Sequence, residues 1–322
     1  KVLLFINGSL GDKSFFDSAK RGIDQSVAEL GIEADTIETT YDATQWEPAL
    51  VDALANLGAT LQSGGGGETS QVSLSTLKPT LREALDIYAD VVLNPAFAQP
   101  DIDRLKGQTR AGIASSKQDP SKMASRISSA LLFGSGHPYG RLMNEADADA
   151  LTREDVAAFH ARWFHSNNAT LVVTGDTSLA EIRPMVEAAF AKWRPGNVPE
   201  TLVPISAGPD QATVYLIDKP GTSQTVIRTA LVAPPRKEGD AIAREAFNTV
   251  LGGSFTSRLN MKLREEKGWA YGAGSSIDGG RGSQVFSARA SVQADKTAEA
   301  MVEMSKALAD MAGPRQVDDK EL

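Results

Sequence analysis

The sequence contains two stretches with the same order of predicted elements, and this repetition restricts the possible folds more than any other feature. Gly58-Ala59 begins a predicted strand, a glycine-rich turn, a second strand and a helix that ends near Leu93. The same order begins again at Gly272-Ala273, 214 positions later, and its helix ends near Met311. Weak self-similarity at the scale of a domain indicates duplication, so we expect two related α+β domains.

Apolar runs predict further strands of these domains. Ala169–Gly175 is a short apolar run closed by a turn, which is typical of a buried strand. Ala212–Asp218 and Thr225–Ala233 are predicted as strands on the same grounds. Ser283–Gln293 alternates between apolar and polar residues, and this pattern predicts a strand with one face on a core and the other in water.

A helix start is visible after Leu151. The Thr152 side chain can cap the free amides, and the Asp155 side chain can reach back toward Thr152. Val156, Phe159 and Trp163 follow at helical spacing, so we expect these three side chains to line one face of the helix.

Composition excludes several classes of protein. The formal net charge of -8 and a pI near 5.1 argue against a nucleic-acid partner, because no basic run offers contacts to phosphates. The chain has no Cys, which excludes disulfides, thiolate zinc sites and cysteine nucleophiles. No apolar run approaches the length that spans a bilayer, so we expect no transmembrane segment. The chain begins at Lys1 without a signal peptide, and a removed signal or a shortened chain explains this equally well. The lack of Cys suits a periplasmic location, although chains without Cys also occur in the cytosol.

The segment Leu251–Ser276 reads LGGSFTSRLNMKLREEKGWAYGAGSS and resembles the C-terminal domain signature of the pitrilysin/insulinase family of zinc peptidases. The resemblance extends from about Leu50 to the end of the chain. The further segments that carry it are specific as a set: Leu57-Gly58-Ala59, Asn94-Pro95-Ala96-Phe97, His137-Pro138-Tyr139-Gly140, Leu151-Thr152-Arg153-Glu154-Asp155 and Val172-Val173-Thr174-Gly175-Asp176. It implies an α+β fold with two duplicated pitrilysin-like domains, each a sheet with helices packed on one side, the second truncated.

The residues that bind zinc in the resembled family are missing from this sequence. Subtracting 214 positions from the predicted helix Asp240–Leu251 gives residues 26–37, the place of the family's His-x-x-Glu-His motif, and this stretch contains no His. The position that matches the third ligand, a Glu in the family, is Gly112. The three His of the chain form neither zinc-binding spacing: His137, His160 and His165. We therefore expect no metal site here, and the resemblance implies that zinc belongs to a catalytic partner.

The resemblance also implies a pair of substrate-binding residues. In the family, an Arg and a Tyr seven residues apart hold the substrate backbone and help to polarise the scissile carbonyl. Arg264 and Tyr271 are the matching positions. Arg264 ends a predicted helix and Tyr271 begins the returning strand, so both side chains can converge on one point. The alternative is that Arg264 pairs with Glu265 or Glu266 on a solvated helix end and that Tyr271 is an ordinary strand residue.

Residues 1–50 resemble a different family. Their order of strand, loop, helix and strand predicts a βαβ unit. The step Asp12-Lys13-Ser14-Phe15 resembles the start of the basic membrane protein family of periplasmic nucleoside-binding lipoproteins. That resemblance implies ligand contacts by Asp12 and by Phe15 or Phe16. The alternative is that the two Phe side chains only anchor the helix to the sheet, since the second lobe of such a binding protein is missing.

We therefore divide the chain into three parts. Residues 1–50 are a βαβ fragment, residues 51–198 a pitrilysin-like domain without the zinc helix, and residues 199–322 a truncated C-terminal domain with Arg264 and Tyr271. The favoured function is a non-catalytic, substrate-binding half or subunit of a pitrilysin-type zinc metallopeptidase. It would hold peptide for a zinc-bearing partner in a heterodimer and be inactive alone.

Two other interpretations stay open. The first is a periplasmic nucleoside-binding lipoprotein, based on residues 1–50. The second is a chimeric or wrongly assigned chain that joins pieces of two proteins, with the junction near Trp46–Asn56. A one-sixth fragment of a binding protein ahead of an incomplete peptidase domain is an unusual natural arrangement.

Overall fold

The computed structural model describes residues 2–6, 15–38, 46–236, 240–313, 315, 317 and 321. The chain forms two compact units. The first comprises Lys1–Gln108 and Asp149–Glu200, and the second comprises Thr109–Ala148 and Thr201–Leu322. The division after Glu200 lies close to the predicted boundary after residue 198, whereas residues 109–148 join the second unit.

The first unit begins with the predicted βαβ arrangement. Strands β1 (Val2–Ile6) and β2 (Ala34–Glu38) pair in parallel, and helix α1 (Phe15–Leu30) lies between them in sequence. Helix α2 (Trp46–Asn56) follows and covers the whole predicted junction as one continuous helix.

An antiparallel hairpin of β3 (Thr60–Gly66) and β4 (Thr69–Ser75) comes next. Helix α3 (Leu81–Leu93) packs beside it, and the hydroxyl of Tyr88 donates a hydrogen bond of 3.1 Å to the carbonyl oxygen of Val72. A small buried cluster lies under the hairpin: Leu54, Ala59 and Ala84. Within the described part of the chain, no third strand pairs with this hairpin.

The remaining helices of the first unit include α7 (Arg153–Trp163) and α8 (Leu179–Ala189), while α4 (Gln99–Ser116) begins in this unit. The predicted cap of α7 is confirmed, because the amide of Asp155 donates to Oγ1 of Thr152 and the Asp155 carboxylate accepts the amide of Thr152.

Of the predicted face of α7, Val156 and Trp163 are half-buried, whereas Phe159 is 51% exposed. The neighbouring His160 is half-buried as well. The Nε2 atom of His160 lies 2.8 Å from the carbonyl oxygen of Val92, and its ring stacks on Phe164. An apolar spacing alone therefore does not fix how deeply each residue of a helical face is buried.

The second unit is built on a three-stranded antiparallel sheet. Its strands are β5 (Gln224–Ala233), β6 (Ala270–Asp278) and β7 (Gln284–Gln293), in the order β5-β7-β6. Because β7 lies in the middle, both of its edges are hydrogen-bonded.

One face of this sheet carries the main core. Helices α9 (Ala241–Asn248), α10 (Arg258–Asn260) and α11 (Thr297–Ala312) belong to it, and π-helical turns at Thr249–Gly253 and Met261–Glu266 extend the first two. The predicted alternation of β7 is confirmed on this face, where its apolar side chains are buried: Phe286, Ala288, Ala290 and Val292.

The opposite face of the sheet carries α5 (Pro120–Phe133), and α6 (Glu145–Ala150) follows along the chain. The Nη1 atom of Arg228 on β5 donates to the hydroxyl of Ser125 on α5 at 3.2 Å. The amide of Gly282 donates to the hydroxyl of Tyr139 at 3.0 Å. These contacts explain why residues 109–148 belong to the second unit.

Two predicted strands are not formed. Ala169–Gly175 and Ala212–Asp218 have no ladder partner among the described residues, and their apolar side chains face solvent. Val172 is 78% exposed and Leu216 is 89% exposed. A strand needs a neighbour for its backbone groups, so an apolar run without one stays irregular despite its composition.

None of the described helices is both long and apolar enough to cross a bilayer.

Candidate functional site

The structure brings the predicted pair Arg264 and Tyr271 together. Arg264 lies in the π-helical turn Met261–Glu266, and Tyr271 is the second residue of β6. Gly268 between them has φ +63°, a left-handed conformation that a glycine adopts without strain and that lets the chain reverse. As a result, the guanidinium carbon of Arg264 lies 5.2 Å from the centroid of the Tyr271 ring.

A second aromatic ring, that of Phe255, also lies against the Arg264 guanidinium, and it was not predicted from the sequence. The guanidinium carbon of Arg264 lies 4.6 Å from the ring centroid of Phe255, so the cation is placed against two rings. Both rings are largely open to solvent, with Phe255 61% exposed and Tyr271 86% exposed. The available signal was an aromatic residue within the small, polar run Gly-Gly-Ser-Phe-Thr-Ser. Large aromatic side chains held open to solvent beside a cation are typical of a binding surface.

The charges around Arg264 leave part of its guanidinium available. Its Nε atom lies 3.3 Å from a carboxylate oxygen of Glu265, so this part of the alternative interpretation also holds. Glu266 contacts Lys262 and Lys267 instead. The hydrogen bond from Lys262 is the main reason that the pKa of Glu266 lies below its usual range. No described residue accepts a hydrogen bond from the Nη atoms of Arg264.

The buried side-chain amide of Asn260 connects the two sides of the site. Asn260 is 4% exposed, and its Nδ2 atom donates to the carbonyl oxygen of Phe255 at 2.7 Å. Its Oδ1 atom accepts from the amide of Ala273 at 3.2 Å. Asn260 therefore ties the loop that carries Phe255 to the strand that carries Tyr271.

The residues present do not fit a zinc ion. The described parts of the chain contain no group of three or more His, Cys, Asp or Glu that could hold a metal. The Nε2 atom of His137 lies 2.9 Å from the carbonyl oxygen of Pro204, and its Nδ1 atom accepts the amide of Tyr139. His160 is engaged with Val92, as described above. Gly112, which lies in α4, has no side chain to offer.

The predicted ligand contacts of the N-terminal fragment stay predictions. Asp12 lies outside the described residues. Phe15 and Phe16 begin α1, but their side chains lie outside the described part as well.

Comparisons with known proteins found a matching family model and similar curated proteins. A family model described as the peptidase M16 inactive domain matches residues 150–322, which is more than half of the chain. An uncharacterized zinc protease of Mycobacterium leprae is 27% identical over 271 residues, covering 82% of this chain and 60% of the relative. The chain therefore spans about three fifths of the length of that relative.

Solved structures show the same fold. The peptidase M16 inactive domain from Pseudomonas fluorescens is similar with a TM-score of 0.78 and 26% identity, covering 85% of this chain and 66% of that one. Pitrilysin is similar with a TM-score of 0.60 and 15% identity, covering 85% of this chain and 30% of that one.

Proposed function

Because the chain belongs to the peptidase M16 family, we propose that it is the non-catalytic, substrate-binding half of a pitrilysin-type zinc peptidase. The observation that carries the proposal is the Arg264 guanidinium between the exposed rings of Phe255 and Tyr271, in a chain without His-x-x-Glu-His. This chain can bind and orient a peptide but cannot activate water for its hydrolysis.

The chemistry of the site suits an extended peptide backbone. Arg264 carries donors and no acceptor, so its free Nη atoms match a peptide carbonyl oxygen. The Tyr271 hydroxyl can donate a second hydrogen bond to the same or the next carbonyl. The ring of Phe255 offers an apolar contact for a substrate side chain. Donors placed where charge develops on a scissile carbonyl stabilise the transition state, provided that a partner supplies the zinc.

Peptide binding is tested with the wild-type chain and a fluorescein-labelled decapeptide without charged side chains. We expect Arg264→Ala to weaken binding by about tenfold, the effect of losing one or two charge-assisted hydrogen bonds. Tyr271→Phe keeps the ring beside Arg264 and removes only the hydroxyl, so a smaller loss is expected. The readout is fluorescence anisotropy.

The matched control for this test is Arg236→Ala, which removes an exposed Arg of the second unit that has no hydrogen bond or ion pair to another described residue. This variant should bind like the wild type. Equal affinity of the wild type and Arg264→Ala would remove Arg264 from the proposed role.

The proposed zinc-bearing partner is tested by mixing it with this chain. A chain of the same family that carries His-x-x-Glu-His is combined with this chain, and cleavage of a quenched fluorescent peptide is followed. The proposal expects cleavage by the mixture above that of either chain alone, with Arg264→Ala reducing the gain. If the mixture cleaves no faster than the zinc-bearing chain, this chain is not a peptidase half.

One observation favours a second candidate for residues 1–50. The parallel pair β1–β2, with α1 between the strands in sequence, is the opening unit expected of a nucleoside-binding lobe. This candidate, together with a periplasmic location, is a proposal only. Isothermal titration with adenosine and guanosine tests it, and no heat of binding would eliminate it.

A chimeric or wrongly assigned chain is tested by a tryptic peptide map. Between Arg21 and Arg82 the only Lys or Arg is Lys78, which Pro79 protects from trypsin, so one peptide should run from Gly22 to Arg82. Its detection in protein from the native source would show one continuous chain across α2. Its absence beside full coverage elsewhere would assign residues 1–50 to another protein.

A further inference from the structure

The second unit contains a cavity that the peptide site does not use. It has a volume of about 370 Å³ and lies between α5 and the face of the β5–β7–β6 sheet opposite the main core. Its charged lining groups are Arg228 on β5 and Arg289 on β7. Its hydroxyl groups are those of Ser121 and Ser125 on α5 and of Ser291 on β7, and no carboxylate lines it.

The two Arg residues are placed against each other by the sheet itself. Arg228 and Arg289 are direct partners in the β5–β7 ladder, so their side chains leave the same face from adjacent backbone positions. Like charges directly opposite each other destabilise a sheet unless a counter-charge lies between them. Neither guanidinium forms an ion pair with any described carboxylate.

One donor of Arg228 is buried without a partner. Its Nη1 atom donates to Ser125, but its Nε atom is shielded from water and forms no hydrogen bond within the described part of the chain. Burial and the charge of Arg289 lower the pKa of Arg228 from its usual value. The carboxylate that opposes this effect, Asp278, lies at the far end of β6 and accepts a hydrogen bond from Ser276. A buried, unpaired donor in a positively charged cavity is costly unless an acceptor fills the site.

The start of α5 adds to the same potential. Ser121 lies in its first turn, where the free amides and the helix dipole favour negative charge. The side chain of Asp119 already accepts one of these amides, that of Lys122. Ser121 and Ser125 of this helix line the same cavity as the two guanidinium groups.

We propose that this cavity binds an oxyanion group, a carboxylate or a phosphate, between Arg228, Arg289 and the hydroxyls of α5. A small rotation of the Arg228 side chain turns its Nε and Nη2 edge toward the ligand, which is the edge that grips an oxyanion with two parallel hydrogen bonds. The bound oxyanion lies between the two guanidinium groups and reduces their repulsion. It also accepts a hydrogen bond from the unpaired Nε atom of Arg228. The site is separate from Arg264, so it stands whether or not the peptide-binding role is correct.

The test is isothermal titration of the full chain with inorganic phosphate and with a tripeptide whose C-terminus is either free or amidated. We expect Arg228→Gln and Arg289→Gln to weaken binding by about tenfold or more. The matched control is Arg183→Gln, which removes one positive charge from a largely exposed residue of the first unit that pairs with Glu187. This control should keep the wild-type affinity.

Thermal unfolding separates loss of binding from loss of fold. Without anion, Arg228→Gln should unfold at the same or a higher temperature than the wild type, because it removes the repulsion and the unpaired donor. Phosphate should raise the midpoint of the wild type but not that of Arg228→Gln. Arg289→Gln, at an exposed position, provides a second variant that is expected to fold normally.

The outcomes distinguish the source of the oxyanion. Binding of the free-acid tripeptide but not its amide identifies a peptide carboxylate, and binding of phosphate alone identifies a phosphate. Two results would overturn the proposal: wild-type affinity in both Arg variants for whichever probe binds, or no binding of phosphate or of the free-acid tripeptide at about 10 mM, a concentration that captures even weak sites.

Discussion

Strands β4 and β7 occupy the same place in the two repeated segments, yet their surroundings differ. β7 lies between β5 and β6, whereas β4 pairs only with β3 in the described structure. Subtracting the 214-residue offset from β5 gives residues 10–19, and of these, residues 15–19 belong to α1 rather than to a strand. Within the described residues, the first copy therefore has no counterpart of β5, the strand that makes the second copy a three-stranded sheet.

The cores of the two copies show what that strand contributes. The cluster on the β5–β7–β6 sheet contains 12 buried residues, and the cluster under the β3–β4 hairpin contains three, so the described cluster of the second copy is the larger one. A two-stranded hairpin is marginally stable by itself, and a third strand with a packed helix changes this. The comparison teaches that the strand and helices before the repeated segment give the second copy its larger buried cluster.

The largest expected effect comes from truncating a buried side chain in the larger core cluster. Leu263 in the second unit is fully buried, and Leu263→Ala should cost about 4 kcal/mol, because the residues around it are held by the sheet and cannot fill the gap. Leu54→Ala in the first unit should cost about 2 kcal/mol, since a small cluster relaxes more easily. Hydrogen exchange measured separately for each unit gives both values. Equal losses would contradict the proposed difference between the cores.

A pair of glycine substitutions probes the packing of the same two sheets. A Cβ atom on Gly252 would lie 2.4 Å from the amide nitrogen of Ser275 on β6, so Gly252→Ala must push helix and strand apart. We expect a loss of about 2 kcal/mol. A Cβ atom on Gly66 of the hairpin meets nothing within 4 Å, and Gly66→Ala should stay within about 0.5 kcal/mol of wild type. Chemical denaturation of the two variants measures this contrast, and a tolerated Gly252→Ala would mean that the sheet is less tightly covered than described.

The smallest effect concerns the first unit, whose helices depend on local caps. Thr152→Ala removes the cap of α7 and should cost about 1 kcal/mol in unfolding free energy. Thr201→Ala, at an exposed position outside any helix, is the control and should change nothing.

The cap of α7 also affects how the stability of the fold depends on pH. The Thr152 side chain and amide hold the pKa of Asp155 below its usual value. A carboxyl group with a lowered folded-state pKa stabilises the fold above its unfolded-state pKa, and this contribution disappears as the pH falls through the folded-state pKa. In Thr152→Ala the pKa of Asp155 should rise toward its ordinary value in an NMR titration. An unchanged pKa would show that the backbone amide alone is responsible.

Local sequence patterns correctly predicted the elements whose pairing strand or capping residue is also present in the chain. The alternation of β7 and the cap of α7 both depend on residues that are close together in the sequence, and both predictions were confirmed. The runs at 169–175 and 212–218 have equal strand character, but a strand also needs a second strand to pair with. Sequence composition does not report whether that neighbour is present.

The candidate site shows the same limit. The motif that contains Arg264 and Tyr271 is continuous, and the sequence located both residues. Phe255 lies in the same segment but outside the recognised spacing. The contact between Ser125 and Arg228 joins residues 103 positions apart, so only the folded chain brings that cavity together.

The two exposed apolar runs have a practical consequence for anyone who prepares this protein. Residues 169–174 and 212–217 contain neither charge nor proline, and neither run has a strand partner in the part of the chain that the structure describes. Such six-residue windows promote cross-β aggregation when copies meet. The solubility of the chain by itself should therefore be limited by concentration more than by temperature, and thioflavin T fluorescence across a dilution series would reveal it. Flat fluorescence would mean that the runs are protected in solution.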